Sequence, residues 1–162
     1  MMPSLSRTAQ STLSAPLLAL VLAAGFCLPA QAQFSPLPEA KSQGTPAASA
    51  AANDKDYRKA MSQHLYGAYP GLVHKGKLPP MLVGVTIVNT TIDAQGQVTA
   101  VDVVRAPALK EVQPWVEHMI RAAGPYPAPA KLAAPVTWRE IFLVTNKGRF
   151  QVDALTEGQA SK

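Results

Sequence analysis

Catalysis in a chain of this kind would need a nucleophile with a base beside it, a cluster of metal ligands, or a pair of carboxylates across a cleft. Between Asp54 and Gln159 the only serine is Ser62, and no Gly-x-Ser-x-Gly surrounds it. The single cysteine, Cys27, lies in an apolar run near the N-terminus. These two facts argue against a serine or cysteine hydrolase. His64, His74 and His118 form neither His-x-x-x-His nor His-Glu-x-x-His spacing, so they read as surface or boundary residues and no metal site is expected. Asp93, Asp102, Glu111, Glu117, Glu140 and Asp153 are scattered. Asp102 and Glu140 fall inside strand-like runs, where Arg105 or Arg139 could neutralise them across a sheet. Asp93 stands in "TIDAQGQV" with Gly96 three residues on. A calcium loop needs several oxygen ligands at alternating positions and a closing Glu, and this stretch lacks them. An Asp that bonds its own backbone and a Gly that accepts positive φ make a turn instead. The reading is therefore a non-enzyme with no catalytic residue, no metal and no cofactor.

The elements around these residues follow from periodicity. Tyr57, Met61 and Leu65 recur every four positions, which predicts a short helix over about Lys55–Leu65, capped by Asp54 or Asp56. "MLVGVTIVNTTI" and "QVTAVDVVR" are β-branched strands joined by the Asp93–Gly96 turn. The odd step from Val98 to Val101 predicts a β-bulge near Thr99–Ala100. Leu109, Val112, Val116, Met119, Ile120 and Ala123 have helical spacing, with Pro114 tolerated in the first turn and Gly124–Pro125 as the stop. Pro125, Pro127 and Pro129 around Tyr126 read as a stiff connector in preference to a polyproline ligand. "VTWREIFLV" alternates as a third strand, and "RFQVD" returns after a Gly148 turn as a short fourth. The fold class is α+β: a small antiparallel sheet of three or four strands, one main helix on a face, and a short N-terminal helix.

The flanks bound the compartment. "APLLALVLAAGFCL" follows a start whose one charge is Arg7, and small residues at Ala30 and Ala32 precede Gln33. Residues 1–32 read as a signal peptide cleaved after Ala32, since the apolar run falls short of the roughly 20 residues of a membrane span. Losing Arg7 lowers the formal charge of +5 by one, which is too little for a nucleic-acid footprint. The mature chain has no cysteine, hence no disulfide. Residues 33–53 read as a flexible Ala/Ser/Pro linker, residues 54–153 as the folded domain, and residues 154–162 as a disordered tail.

Taken in order, Tyr69–Pro70, then Ile92, Asp93, Gly96 and Val98 as "ID-x-x-G-x-V", then Val101 and Val103, a helix, "PYPAP" at Pro125–Pro129 and a last strand are informative together. This set resembles the C-terminal domain of the TonB family over about Tyr57 to Thr145, with TolA-type C-terminal domains as close cousins. The resemblance implies a periplasmic binding module of a Gram-negative envelope. Such a module would pair an edge strand with an extended peptide of a partner, such as an outer-membrane transporter, by β-augmentation. By position it implies Val136, Trp138, Glu140, Phe142 and Val144 on the binding strand, with Tyr69 and Pro70 near the peptide. It implies no small-molecule substrate and no nucleic acid, and it leaves room for a homodimer. The match departs from the family at "RAP" (Arg105–Pro107), where a Ser-Ser-Gly stretch is frequent. The spacer covers roughly 70 Å at about 3.4 Å per residue even when extended. The alternatives are a transducer that keeps its N-terminal segment as an anchor, and a scaffold whose edge is capped by Arg149–Asp153.

Overall fold

The computed structural model describes residues 36–160, so the expected signal peptide lies outside the described residues. The element order is α1 (Asp54–Ala68), β1 (Gly84–Ile92), β2 (Val98–Arg105), α2 (Val112–Ala122), β3 (Val136–Val144) and β4 (Phe150–Val152), closed by a 3-10 turn at Asp153–Leu155. All neighbours are antiparallel in the spatial order β2-β1-β3-β4, which gives the expected α+β class with the fourth strand present. Among the described residues no helix is long and apolar enough to cross a membrane.

Alternation decides the faces. Along β3, Val136, Trp138, Glu140, Phe142 and Val144 are buried, whereas Thr137 and Arg139 are exposed. Along β1, Thr86, Val88, Thr90 and Ile92 are buried with the same period. Tyr57, Met61 and Leu65 of α1 and Val112, Val116, Met119 and Ile120 of α2 enter the same core as Trp138, Phe142 and Phe150. The lack of a side chain at Gly84 lets α2 approach closely, since a Cβ there would lie 2.7 Å from Val112 Cγ1. β1 and β2 pair Thr91 with Ala100 and Ile92 with Val98, so Thr99 is the bulged residue. A second shift, between Ile87 and Val88, leaves Val104 unmatched.

Several boundaries differ from the sequence reading, each for a local reason. α1 begins earlier because Asn53, not Asp54 or Asp56, caps it, its Oδ1 accepting from the Asp56 N–H at 2.9 Å. α1 also runs one turn further, to Ala68, because Ala68 is buried with its predecessors on the same side. The stretch expected as a linker is seated on the domain from residue 36: Lys41 N–H bonds Ala68 O, Gln43 Nε2 bonds His64 O, and Ser49 N–H bonds Ala128 O. The stretch expected as a tail is tied through Leu78 N–H to Gly158 O and Ala160 N–H to Leu78 O. The described residues 36–160 accordingly belong to one compact unit.

Candidate peptide-docking site

The Asp93 turn is structural in its geometry. Asp93 Oδ1 accepts from Gln95 N–H and Gln97 N–H at 2.9 and 2.8 Å, and Gly96 N–H returns to Asp93 O. Gly96 has φ +81°, and a Cβ there would fall 2.0 Å from Tyr126 O. Tyr126 N–H in turn donates to Gly96 O at 2.8 Å. The hairpin corner is thus locked onto the connector before β3, and it helps to place that strand.

β3 has two unequal sides. β1 pairs with its whole length, from Val144 opposite Gly84 to Val136 opposite Ile92. β4 pairs only with Phe142, Leu143 and Val144. Backbone groups alternate sides along a strand, and Thr145 N–H donates to Arg149 O on the β4 side. By that alternation Thr137, Arg139 and Ile141 aim their backbone groups towards the same side, beyond the end of β4. The cover that the self-capped alternative requires of Arg149–Asp153 therefore takes only the last third of the edge and leaves Thr137–Ile141 without a strand partner among the described residues. A groove of about 540 Å³ runs along this stretch, between Ile87, Thr137, Arg139 and Ile141 on one side and the first turns of α1, including Asp54 and Lys55, on the other.

At the β4 end the groove stops at a charge network. Glu140 is 1% exposed. Its carboxylate accepts from Arg58 Nε at 3.2 Å and Nη2 at 2.6 Å, from Ser62 Oγ at 2.7 Å, and from Ile141 N–H at 2.9 Å. Arg58 Nη2 also reaches Asp153 at 2.8 Å. The Glu140 hydrogen bond, reinforced by Asp153 and opposed by burial, holds the Arg58 guanidinium even more firmly charged than usual. The cross-sheet pairing expected for Glu140 is thus replaced by a helix partner, because Glu140 points into the core side where α1 lies. Asp102 forms no ion pair among the described residues, and Arg139 Nε bonds Asn89 Oδ1 across the sheet instead.

The residues assigned by resemblance divide. Val136, Trp138, Glu140, Phe142 and Val144 do lie on the partly open strand, but their side chains are buried. What the strip offers a partner is the backbone of Thr137, Arg139 and Ile141 and the side chains on that outer face. Alternation within "VTWREIFLV" could have found this, because the apolar positions claim the core. Tyr69 and Pro70 lie at the other end of α1, about 18 Å along the axis from Tyr57 at 1.5 Å per residue. Tyr69 is buried, its hydroxyl has no hydrogen-bond partner among the described residues, and burial raises its pKa; Pro70 is exposed. The chain after them guards the outer edge of β4: Phe150 N–H bonds Leu72 O, and His74 N–H bonds Phe150 O. The histidines are dispersed, with His64 Nε2 on Ala123 O at 2.9 Å, His74 Nε2 on Lys77 O, and His118 exposed. No group of three or more metal-ligating side chains occurs among the described residues. No family model matches the chain, and no curated protein or solved structure matches it.

Proposed function

We propose that this chain is an exported binding module of the cell envelope that captures an extended peptide segment by strand addition to β3. The observation that carries the reading is the run Thr137–Ile141, which has no strand partner on its outer side among the described residues, in a strand otherwise built into a four-stranded sheet. An added strand would gain ladder hydrogen bonds from Thr137 and Arg139, and the groove beside α1 has room for its side chains. The partner class suggested by the TonB-like order of motifs is an envelope protein, such as an outer-membrane transporter, met in the periplasm after removal of residues 1–32. No catalytic role belongs to this reading.

The test is a titration of the isotope-labelled protein with plug peptides from such transporters. Shifts should concentrate at the amides of Thr137, Arg139 and Ile141, with new protection from exchange at the first two. Shifts confined to Tyr69–Val73, or none at all, would defeat the proposal. The competing reading, an anchored transducer, predicts an intact N-terminus. Mass spectrometry showing the mature chain beginning at Gln33 would dispose of it.

A further inference from the structure

β4 ends after three paired residues, although the next residues, "DALTE" (Asp153–Glu157), contain neither proline nor glycine. If β4 continued in its register, with Val152 opposite Phe142, Asp153 would lie opposite Ile141, Leu155 opposite Arg139 and Glu157 opposite Thr137. Such a strand would cover the open edge. It would also set Asp153 and Glu157 diagonally on either side of Arg139, which has no carboxylate partner among the described residues. The covered arrangement is therefore chemically reasonable, yet the chain leaves the sheet at Asp153.

The atoms that hold the chain at the point of departure belong to one network, and further on Gln151 Oε1 accepts from Thr156 Oγ1 at 2.8 Å and from Glu157 N–H at 3.3 Å. Ile141 N–H, which a longer β4 would claim, donates to Glu140 Oε1 at 2.9 Å. Ala154 N–H points to the same oxygen at 3.4 Å. The Asp153 carboxylate is held by Arg58 at 2.8 Å. The chain then makes the 3-10 turn Asp153–Leu155 and runs on to Leu78. An apolar residue would satisfy packing between Trp138 and Phe142 as well as a buried carboxylate does, and usually at lower cost. We propose that Glu140 is a positioning residue: fixed by Arg58 and Ser62, it turns the chain out of the sheet at Asp153 and thereby keeps Thr137–Ile141 open. The inference rests on the proposed strand addition only for its consequence in binding, since the state of the edge is measurable without any peptide.

Amide exchange on the full chain tests it. In the wild type, Ile141 N–H should exchange more slowly than Thr137 and Arg139 by on the order of tenfold or more. Equal rates at the three would overturn the proposal. In Glu140→Val, Thr137 and Arg139 should become more protected by on the order of tenfold, as the released chain extends β4. Plain destabilisation moves them the other way, so unchanged or faster exchange refutes it. If Glu140→Val does not fold, Asp153→Ala, on the exposed side of the network, should slow the same two amides by a few-fold, and no slowing refutes it. Adding Glu157→Pro to Glu140→Val removes the N–H that would donate to Thr137 O and so weakens the end of the extended strand, and Thr137 should exchange faster than in Glu140→Val alone. Protection that persists there argues the proposal down. A wild type with the expected exchange pattern but no affinity for any plug peptide would remove the proposed function and leave this inference standing.

Discussion

At the residue scale, two acids that look alike in the sequence do different work, and energetics separates them. Asp93 sits at a solvent-facing corner and accepts two backbone N–H bonds. Asp93→Ala should cost about 1 kcal/mol in chemical denaturation, the usual net value of such bonds. Gly96→Ala should cost more, about 2 kcal/mol or above, because it combines a positive φ with a Cβ driven into Tyr126 O. Equal losses for the two variants would mean that the docking of the corner onto Tyr126 contributes little. Glu140 is the opposite case. Its partner Arg58 is 82 residues away in sequence, on a helix whose approach no strand periodicity reveals. Asp93 was legible because a turn is local chemistry. The carboxylate network was not, because only tertiary packing brings α1 over β3.

At the element scale, alternation along β3 makes a sharp contrast between neighbouring positions. Proline removes one backbone N–H, and a sheet edge tolerates that where the N–H faces outward. Arg139→Pro takes away an outward N–H, so the domain should remain folded, with a loss below about 2 kcal/mol, while peptide-induced shifts at Thr137–Ile141 disappear. Trp138→Pro takes away an N–H aimed at β1 and a buried indole, so it should abolish cooperative unfolding altogether. Circular dichroism melts of both variants, followed by peptide titration of the first, check the pair. The same strand bears on self-association. A twofold antiparallel pairing of two open edges that sets Thr137 opposite the partner's Ile141 also sets Arg139 opposite its own copy, and like charges directly opposite are unfavourable. Sedimentation should find monomer for the wild type and a shift towards dimer for Arg139→Thr. The reverse result would place any dimer contact elsewhere. Strand limits, the Thr99 bulge and the second helix were readable because period and β-branching are properties of a few residues. The incomplete cover by β4 was not, since "RFQVD" specifies a strand but not where it leaves the sheet.

At the scale of the whole molecule, the sequence misplaces the ends, and the reason bears on stability. Residues 36–53 have no apolar period, yet their backbone groups find partners on α1 and on the Pro125–Pro129 connector. Composition reports on a segment's own core, not on grooves that other elements offer it. The four tyrosines bear on stability in another way, since all of them titrate above their ordinary range. Burial pushes Tyr57 up to about 12, and its hydroxyl donates to Pro127 O at 3.1 Å. Burial also raises Tyr66 and Tyr69, and it raises Tyr126 well above its usual value with a further push from Tyr69. In the unfolded chain each phenol ionises near pH 10. From about pH 10 to 12 the unfolded state therefore binds fewer protons than the folded state, and stability falls as pH rises. Below about pH 10 both states hold the phenolic protons, and this contribution is present in full. Arg58 keeps its charge through that window, so the Glu140 network persists while the tyrosine core weakens. Denaturant midpoints should decline steadily above about pH 10, with phenolate absorbance appearing together with unfolding rather than before it. Tyr57→Phe, which cannot ionise, should make the decline shallower. An unchanged slope in that variant would show that the alkaline loss arises from lysine deprotonation or from the other tyrosines, and not from the phenol that α1 buries against the connector.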